Sequence, residues 1–202
     1  MADRAAVVRR LGELFRERGY ATSSLADVTA ATGLGRGSLY HLFPDGKPQM
    51  LAAVLDDVDA WFEREVFAPL RDDGDGIERM VDAVDAYFRS GGRLCLVGRV
   101  ALEPVDDVLA RRLAAWFDRW RVALDVALRA RGATADDAAD LAEETLAAVQ
   151  GGLVLAHATG DPAVFGRALR RVVGRYPRRP SRSSRIPAPP AAATSPAAPP
   201  TT

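Results

Sequence analysis

Residues 22–47 constrain the fold of this chain more than any other stretch. They read T-S-S-L-A-D-V-T-A-A-T-G-L-G-R-G-S-L-Y-H-L-F-P-D-G-K, which predicts two short helices joined by a tight turn. Ser24 and Asp27 form an S-x-x-D capping box, so the first helix is expected to begin at Ser24. Gly33 supplies the backbone freedom that a sharp helix exit requires, so this helix is expected to end near Thr32.

The second helix of the pair is expected to bury one face against the first. Leu39, Leu42 and Phe43 fall at i, i+3 and i+4, the spacing that aligns side chains on one side of a helix. Leu25 and Val28 are aligned in the same way on the first helix. These apolar residues predict a small shared core that fixes the two helices relative to each other.

The opposite face of the second helix carries polar and aromatic side chains. Arg36 with Tyr40, and Gly37 with His41, are i, i+4 pairs. Guanidinium, hydroxyl, phenol and imidazole groups suit a groove lined with phosphates and base edges, and Gly37 leaves room for close approach to a duplex. Pro44 ends the helix. The stretch therefore predicts a helix-turn-helix that contacts double-stranded DNA.

With its flanking residues, this stretch resembles the N-terminal domain of the TetR family of bacterial transcriptional repressors. The resemblance spans roughly residues 5–55. The residues at the family's spacing are Gly19-Tyr20, Thr22-Ser23, Asp27-Val28, Gly33, Gly37-Ser38-Leu39-Tyr40-His41 and Phe43. The resemblance implies an all-α fold, in which a three-helix DNA-binding domain precedes a larger helical domain for ligand binding and dimerisation.

The resemblance also implies which residues contact the operator DNA. The expected set is Thr22, Ser24, Arg36, Gly37, Ser38, Tyr40, His41 and Lys47. The first three residues of the recognition helix, 36–38, would meet base edges. Tyr40 and His41 would press on the phosphate backbone, and Lys47 would bind a phosphate at the start of the next helix.

The sequence departs from the family pattern near the recognition helix. Gly35 stands where the family usually has Ser or Thr, so one phosphate-binding hydroxyl is missing. Leu42 replaces a common His or Tyr. The P-D-G-K turn is one residue longer than the commonest form and resembles that of a subgroup of efflux-gene repressors. These departures concern the preferred DNA sequence and leave the module intact.

Apolar periodicity divides the rest of the chain into further helices. Helices are expected over residues 4–18, 47–69, 77–90, 105–131, 136–159 and 162–176, with a short apolar segment at 94–102. The chain is assigned a DNA-binding domain (1–48), a ligand-binding and dimerisation domain (49–176) and a disordered Pro/Ala/Arg-rich tail (177–202). The long helix from residue 47 would connect the two domains and transmit motion between them.

The last two helices are expected to form a homodimer contact. In the family they pair across a two-fold axis as a four-helix bundle. Small residues that would permit close helix approach are Ala147, Ala148, Gly151, Gly152 and Ala156.

Charge and cysteine content limit the class of protein. Basic and acidic residues both number 27, and the resulting zero net charge excludes a uniformly basic nucleic-acid coat. Residues 1–50 hold seven basic against five acidic side chains, a net +2, so DNA affinity should depend on oriented contacts and dimerisation. A single cysteine excludes an intramolecular disulfide. With no signal-like or membrane-length apolar stretch, a cytoplasmic protein without a membrane partner is expected.

The central helices supply more large apolar surface than a small bundle core needs. The resemblance implies that such a set lines an inducer pocket, although helical spacing alone also fits a plain core. The candidate pocket residues are Phe62, Met80, Tyr87, Phe88, Cys95, Trp116, Phe117, Trp120 and His157.

Cys95 and His157 each have more than one interpretation. Cys95 is expected to be a buried, inert thiol, and a redox or electrophile sensor would need a lowered pKa, helped by Arg93 or Arg99. His157 is expected in the core, with a polar pocket group and a metal ligand as the alternatives. No zinc spacing, phosphate-binding loop, dinucleotide fingerprint or G-x-S-x-G motif is present in the sequence, so neither an enzyme nor a metal or other cofactor is expected.

These observations predict a homodimeric transcriptional repressor that binds a near-palindromic operator and is released by a small-molecule inducer. Its two recognition helices would enter successive major grooves about 34–36 Å apart or somewhat more. The alternatives are a redox or electrophile sensor acting through Cys95, a helical-bundle enzyme, and a helical adaptor without DNA binding.

Overall fold

The structure, a computed structural model, describes residues 3–72 and 74–178. All regular secondary structure in these residues is helical, as the sequence predicts. The helices are α1 Arg4–Arg18, α2 Leu25–Thr32, α3 Arg36–Leu42, α4 Lys47–Phe62, α5 Ala68–Leu70, α6 Gly76–Tyr87, α7 Leu96–Ala101, α8 Asp107–Ala130, α9 Ala135–Thr159 and α10 Ala163–Val173. A π-helical turn, Glu63–Phe67, joins α4 to α5, and a 3₁₀ turn, Arg89–Gly91, follows α6.

The helix-turn-helix forms at the predicted positions. Ser24 caps α2 through a capping box closed in both directions, and Gly33 ends α2 with a left-handed φ of 71°. Val28, Leu39 and Phe43 have no exposed surface. Apolar contacts on its buried side therefore hold the recognition helix α3 in place, although it has only 7 residues and no side-chain cap.

The predicted helix over 47–69 runs from Lys47 to Leu70 but contains a π-helical turn. Pro69 has no N–H to donate to the carbonyl of Glu65, which interrupts the ordinary i→i−4 pattern. The preceding turn uses the wider i→i−5 bond from Ala68 N to Glu63 O.

An aromatic cluster occupies the centre of the larger helical region. The ring of Phe62 lies 4.7 Å from that of Trp116, 5.3 Å from that of Trp120 and 5.2 Å from that of Tyr87, measured between centroids. Phe62 and Trp120 are at most 1% exposed. The cluster joins α4, α6 and α8 into one core, against which α9 and α10 pack.

Some details of the predicted helices are wrong. Val108 and Val154 belong to the apolar residues whose spacing predicts the helices over 105–131 and 136–159 and were therefore expected inside, but they are 70% and 57% exposed. The helix expected over 77–90 ends at Tyr87, because the chain turns at Ser90 (φ 50°) and Gly91 (φ 101°). At Gly91 a Cβ would lie 2.6 Å from the Pro162 carbonyl oxygen, so only glycine fits this turn against the start of α10.

The last helix also ends earlier than predicted, at Val173 rather than at Tyr176. Tyr176 instead packs back on α9, where its hydroxyl lies 2.7 Å from Oγ1 of Thr145. Burial raises the pKa of Tyr176 to about 12, despite the hydrogen bond with Thr145. The predicted disordered tail lies outside the described residues from residue 179 onward.

The predicted domain division at residues 48 and 49 falls in the first turn of α4. Buried apolar residues from Val7 to Tyr176 form one contiguous cluster, so the core runs across this division. Across the described residues, no helix combines the length and the apolar character needed to cross a membrane.

Candidate functional site

The recognition helix α3 presents its polar face to solvent. Arg36, Gly37, Ser38 and His41 are exposed, and Tyr40 is 49% exposed. A Cβ at Gly37 would meet no heavy atom within 4 Å, so the surface beside it is open. The side chains expected to contact DNA are therefore accessible together on one helix face.

Tyr40 lies against the turn that follows α3. Its Cε1 atom is 3.6 Å from the position that a Cβ on Gly46 would occupy. Gly46 has a left-handed φ of 69°, and its backbone N–H donates to Phe43 O at 2.9 Å. A glycine at this turn thus keeps the phenol ring of Tyr40 beside the start of α4.

The hydroxyls of Ser24 and Thr22, both in the expected set of DNA contacts, also have structural roles. The Ser24 hydroxyl donates to Asp27 Oδ2 at 2.6 Å and accepts from Asp27 N at 3.1 Å. The Ser24 hydroxyl and backbone N–H, followed by the charge of Arg18, lower the pKa of Asp27. The Thr22 hydroxyl donates to Arg18 O. Any phosphate contact must use the remaining lone pairs of these oxygens.

Lys47 ties the start of α4 to the loop before α2. Its ammonium donates to Ser23 O at 2.7 Å and to Ala21 O at 3.2 Å, and it lies 4.7 Å from the centroid of the Tyr20 ring. Two of its three N–H groups are therefore engaged within the protein. One remains for the phosphate contact that the sequence predicts.

The carboxylate of Glu103 binds the same loop through two hydrogen bonds, a role that the sequence does not indicate. Its Oε1 accepts from Tyr20 N at 2.9 Å, and its Oε2 accepts from Ala21 N at 2.6 Å. Because Glu103 follows α7, these two bonds link the larger helical region directly to the loop between α1 and α2. In the sequence, Glu103 lies between the apolar segment at 94–102 and the helix expected over 105–131, where the Glu103-Pro104 pair indicates only a helix break.

A second polar link joins α1 to the segment before α7. Arg93 donates to Glu13 Oε1 at 2.5 Å and to Tyr87 O at 3.2 Å. Arg16, which is 3% exposed, donates to Glu13 and to the Tyr87 hydroxyl, the latter at 3.3 Å. Burial by itself raises the pKa of Glu13, but the hydrogen bond from Arg93 and the charges of both arginines outweigh it and lower the pKa.

Most of the candidate pocket residues lie in the core rather than around open space. Those at most 5% exposed are Phe62, Met80, Phe88, Trp116 and Trp120. Tyr87 is partly buried between Trp61 and Arg93. The expectation of a core His157 is wrong, because this side chain is exposed on α9. It lies three residues beyond the exposed Val154, on the same face of the helix.

Cys95 and Phe117 do line open space, a cavity of about 610 Å³ between α7, α8 and α9. We call it the α7–α9 cavity. Its lining is Leu94, Cys95, Gly98, Arg99, Ala101, Leu102, Phe117, Gln150, Gly151, Leu153, Val154 and Leu155. The lining is almost entirely apolar, with Arg99 and Gln150 as its long polar side chains. Neither was singled out as a pocket residue from the sequence, because nothing local distinguishes them from surface residues.

Cys95 itself is buried, 6% exposed, at the start of α7. Its sulfur accepts from Gly98 N at 3.3 Å. Burial raises the pKa of the Cys95 thiol, against the smaller effects of the hydrogen bonds from Gly98 and Gln150. A thiol of this kind is poorly ionised, which is the opposite of what a redox sensor requires.

Within residues 3–72 and 74–178, no group of three or more His, Cys, Asp or Glu side chains is placed to bind a metal ion.

Two family models match this chain. The model described as bacterial regulatory proteins, tetR family, matches residues 12–54. The model described as transcriptional regulator LmrA/YxaF-like, C-terminal domain, matches residues 74–171. The first covers the helix-turn-helix, and the second covers α6 to α9 and most of α10.

Similar proteins are also regulators of transcription. An uncharacterised HTH-type transcriptional regulator of Mycobacterium tuberculosis (strain ATCC 25618 / H37Rv) is 31% identical over 164 residues, 73% of this chain and 80% of the relative. The HTH-type transcriptional repressor DhaR of Mycobacterium sp. (strain GP1) is 30% identical over 118 residues, 56% of this chain and 59% of its own length. A TetR family regulator from Agrobacterium tumefaciens shares the fold, with a TM-score of 0.74 at 20% identity over 87% of this chain and 97% of that one.

Proposed function

The chain belongs to the TetR family of bacterial transcriptional regulators, and from that premise we propose that it is a ligand-responsive repressor. It is a DNA-binding regulator of transcription and not an enzyme. In this proposal it binds a near-palindromic operator in the cytoplasm as a homodimer, and a small molecule releases it.

The observation that carries the proposal is the composition of the α3 surface. Arg36, Ser38, Tyr40 and His41 are exposed together, while Leu39 between them is fully buried. A guanidinium and a hydroxyl at the start of the helix suit base edges, and a phenol and an imidazole further along suit phosphates. We retain the eight residues expected from the sequence as the proposed DNA contacts.

A dimer would place two such helices in successive major grooves, about 34–36 Å apart or somewhat more. We assign the two-fold contact to α9 and α10. Of the small residues expected at this contact, Ala147 and Gly151 are exposed on α9, and with Val154 and Leu155 they recur at i, i+4, i+7 and i+8. Gly152 and Ala156 are instead buried within the protein, where Gly152 lies against α10, so the expectation for these two is wrong. A Cβ at Gly151 would meet nothing within 4 Å, which leaves room for a helix of the second copy.

The proposal also assigns a function to each region of the chain. Residues 1–48 bind DNA, residues 49–176 bind the ligand and the second copy, and the tail over 177–202 is left without a role. The Glu103 and Arg93 links to α1 and its following loop support communication between the first two regions.

Release requires a ligand that binds the DNA-free arrangement better than the DNA-bound one. A coupling free energy of about 1–3 kcal/mol is typical for such regulation. The α7–α9 cavity supports this part of the proposal, since its volume of about 610 Å³ is in the range of small-molecule sites.

The test is fluorescence anisotropy with DNA from upstream of the protein's own gene, across a series of salt concentrations. Arg36→Ala and Tyr40→Ala should weaken operator binding, and Arg36→Ala should also reduce discrimination against random DNA. Arg111→Ala is the matched control, because Arg111 is exposed on α8 and makes no ion pair within the described residues. Equal binding of all variants to operator and random DNA would contradict the proposal.

A further inference from the structure

The α7–α9 cavity contains an arginine that makes no direct ion pair among the described residues. Arg99 lies mostly buried on α7, and it makes no ion pair or side-chain hydrogen bond within residues 3–72 and 74–178. Its Nε atom is fully buried and has no acceptor among these residues. A guanidinium beside apolar side chains loses hydration at a cost. The Glu103 carboxylate lies near Nη2 beside Gly19 but already accepts from two backbone N–H groups, so it compensates this cost only in part, and Nε keeps no acceptor.

A second donor with no oxygen acceptor faces the same space. The Nε2 atom of Gln150 is buried, and apart from its contact with the weakly accepting Cys95 thiol it has no acceptor among the described residues. Its amide is wedged against α7, where a Cβ at Gly98 would lie 2.4 Å from Gln150 Oε1. Glycine at this position therefore lets α9 bring the amide of Gln150 to the cavity wall.

The two donors and the apolar lining together define the chemistry of an occupant. Leu94, Leu102 and Phe117 offer it apolar contacts, and Arg99 and Gln150 offer it N–H groups. Arg99 is the one cationic residue of the lining, so a single negative charge is balanced there and a second would not be. A carboxylate matches a guanidinium in charge and in geometry.

We propose that the α7–α9 cavity binds an apolar monocarboxylate, such as a medium-chain fatty acid or an arylalkanoic acid, with its carboxylate on Arg99 and Gln150. This inference rests on the proposed ligand-responsive function, and it names the chemical class of the effector. The apolar body lies along the wall formed by α7, Phe117 of α8 and the second half of α9. Gly151, Val154 and Leu155 border both this cavity and the proposed two-fold contact, so the second copy would lie over the open side of the cavity while the ligand occupies the inner side.

Arg99 also connects this cavity to the DNA-binding region. A Cβ at Gly19 would lie 3.3 Å from Arg99 Nη2 and 2.5 Å from Glu103 Oε1. The guanidinium of Arg99 thus lies beside the loop that Glu103 clasps through Tyr20 and Ala21. A carboxylate that draws Arg99 toward the cavity changes the packing at Gly19, and with it the position of α2 and α3.

The direct test uses the full-length, DNA-free protein and three probes of equal chain length: octanoate, octanamide and octylammonium. Isothermal titration calorimetry should show octanoate binding roughly tenfold more tightly than octanamide, and octylammonium not binding, because only the carboxylate pairs with Arg99. Arg99→Gln should remove that preference by weakening octanoate while leaving octanamide unchanged. Arg111→Gln is the matched control for an arginine elsewhere on the surface.

A second variant, Gln150→Leu, tests the same site in case Arg99→Gln does not fold. Gln150→Leu keeps the side-chain volume close to that of glutamine and removes only the amide, so octanoate binding should weaken while thermal unfolding stays cooperative. If octanoate and octanamide bind equally, or if neither variant changes their ratio, the proposal is wrong. It is also wrong if octanoate binds only to a monomeric Val154→Glu variant, since the second copy would then cover the cavity.

Operator binding separates this inference from the proposed function. Octanoate should release the wild-type protein from operator DNA and leave Arg99→Gln bound. If octanoate binds through Arg99 but releases no DNA, the cavity assignment stands and ligand-responsive repression fails. If the protein binds its operator and a neutral compound releases it while no acid binds, the repressor stands and the carboxylate site is wrong.

Discussion

Oε1 of Glu103 lies 2.9 Å from the backbone nitrogen of Tyr20, a residue 83 positions earlier in the chain. Oε2 of the same carboxylate accepts from the next N–H, that of Ala21. Both backbone donors lie in the loop between α1 and α2, outside any helix. The carboxylate thus fixes the entry to the helix-turn-helix from the end of α7, next to the α7–α9 cavity.

Replacing this carboxylate should loosen the link without disturbing the core. Glu103→Gln leaves one amide oxygen to accept two hydrogen bonds and places an NH₂ group against a donor. We expect a loss of about 1–2 kcal/mol in the free energy of unfolding, since charged hydrogen bonds are worth more than neutral ones. Urea denaturation measures it, with Glu65→Gln on the exposed π-helical turn as the control. Equal stability of the two variants would show that the hydrogen bonds from Tyr20 N and Ala21 N to Glu103 do not contribute to the free energy of unfolding.

Two serines on the helix-turn-helix should separate stability from DNA binding. Ser24→Ala removes the capping hydroxyl of α2 and should cost about 1 kcal/mol of unfolding free energy in DNA-free protein. Ser38→Ala removes an exposed hydroxyl on α3 and should leave stability unchanged. Its operator affinity should fall instead. The pair is measured by urea denaturation and by anisotropy, and a stability loss for Ser38→Ala as large as that for Ser24→Ala would contradict the assignment.

The helix-turn-helix was predictable because its signals are local. The Ser24–Asp27 box spans three residues, and Gly33 satisfies a backbone need at its own position, so the bounds of α2 follow from a short window. The exposed face of α3 follows from the buried Leu39 and Phe43 by helical spacing alone.

The links between the two regions were not predictable in this way. Glu103 contacts a loop 82 and 83 residues away, and Arg93 contacts Glu13 at a separation of 80. No spacing rule connects such positions, because the packing of α7 against α1 brings them together. Nothing in the sequence therefore distinguishes Glu103 from an ordinary acidic residue in a loop.

The errors on α9 have a common physical origin. Val154 and His157 were both assigned to the interior, yet both lie exposed, three residues apart on one face. Nearly every residue in that part of α9 is small or apolar, so periodicity does not identify the buried side. An apolar helix face exposed on one copy is the expected result where a second copy packs, which is the role we propose for it.

The Glu13 link should make stability depend on pH in the acid range. The pKa of Glu13 is lowered from 4.5 in the folded protein, because the arginine interactions outweigh burial. A lowered pKa contributes stability above pH 4.5 that is lost as the pH falls through the folded value. The stability difference between wild type and Glu13→Gln should therefore shrink between about pH 6 and pH 3.

Urea denaturation across that pH series measures the effect. Glu17→Gln is the control, since Glu17 is exposed on the same helix and makes no ion pair in the part of the chain that the structure describes. A constant difference between wild type and Glu13→Gln at every pH would mean that the pKa of Glu13 is not shifted by its arginine partners.

The burial of Cys95 should make its thiol unreactive and alkali-sensitive. Burial raises its pKa above the ordinary value of 9.0. A raised pKa contributes stability that is present below pH 9.0 and is lost as the pH rises through the folded value, because only the unfolded chain ionises there. Wild type should therefore lose unfolding free energy above about pH 9 relative to Cys95→Ser, which keeps a cap for Gly98 N and does not ionise.

Iodoacetamide should label the folded protein far more slowly than the urea-unfolded chain at pH 8, because the buried thiol is poorly ionised. Rapid labelling that abolishes operator binding, and that Cys95→Ser prevents, would instead establish the thiol as a sensor.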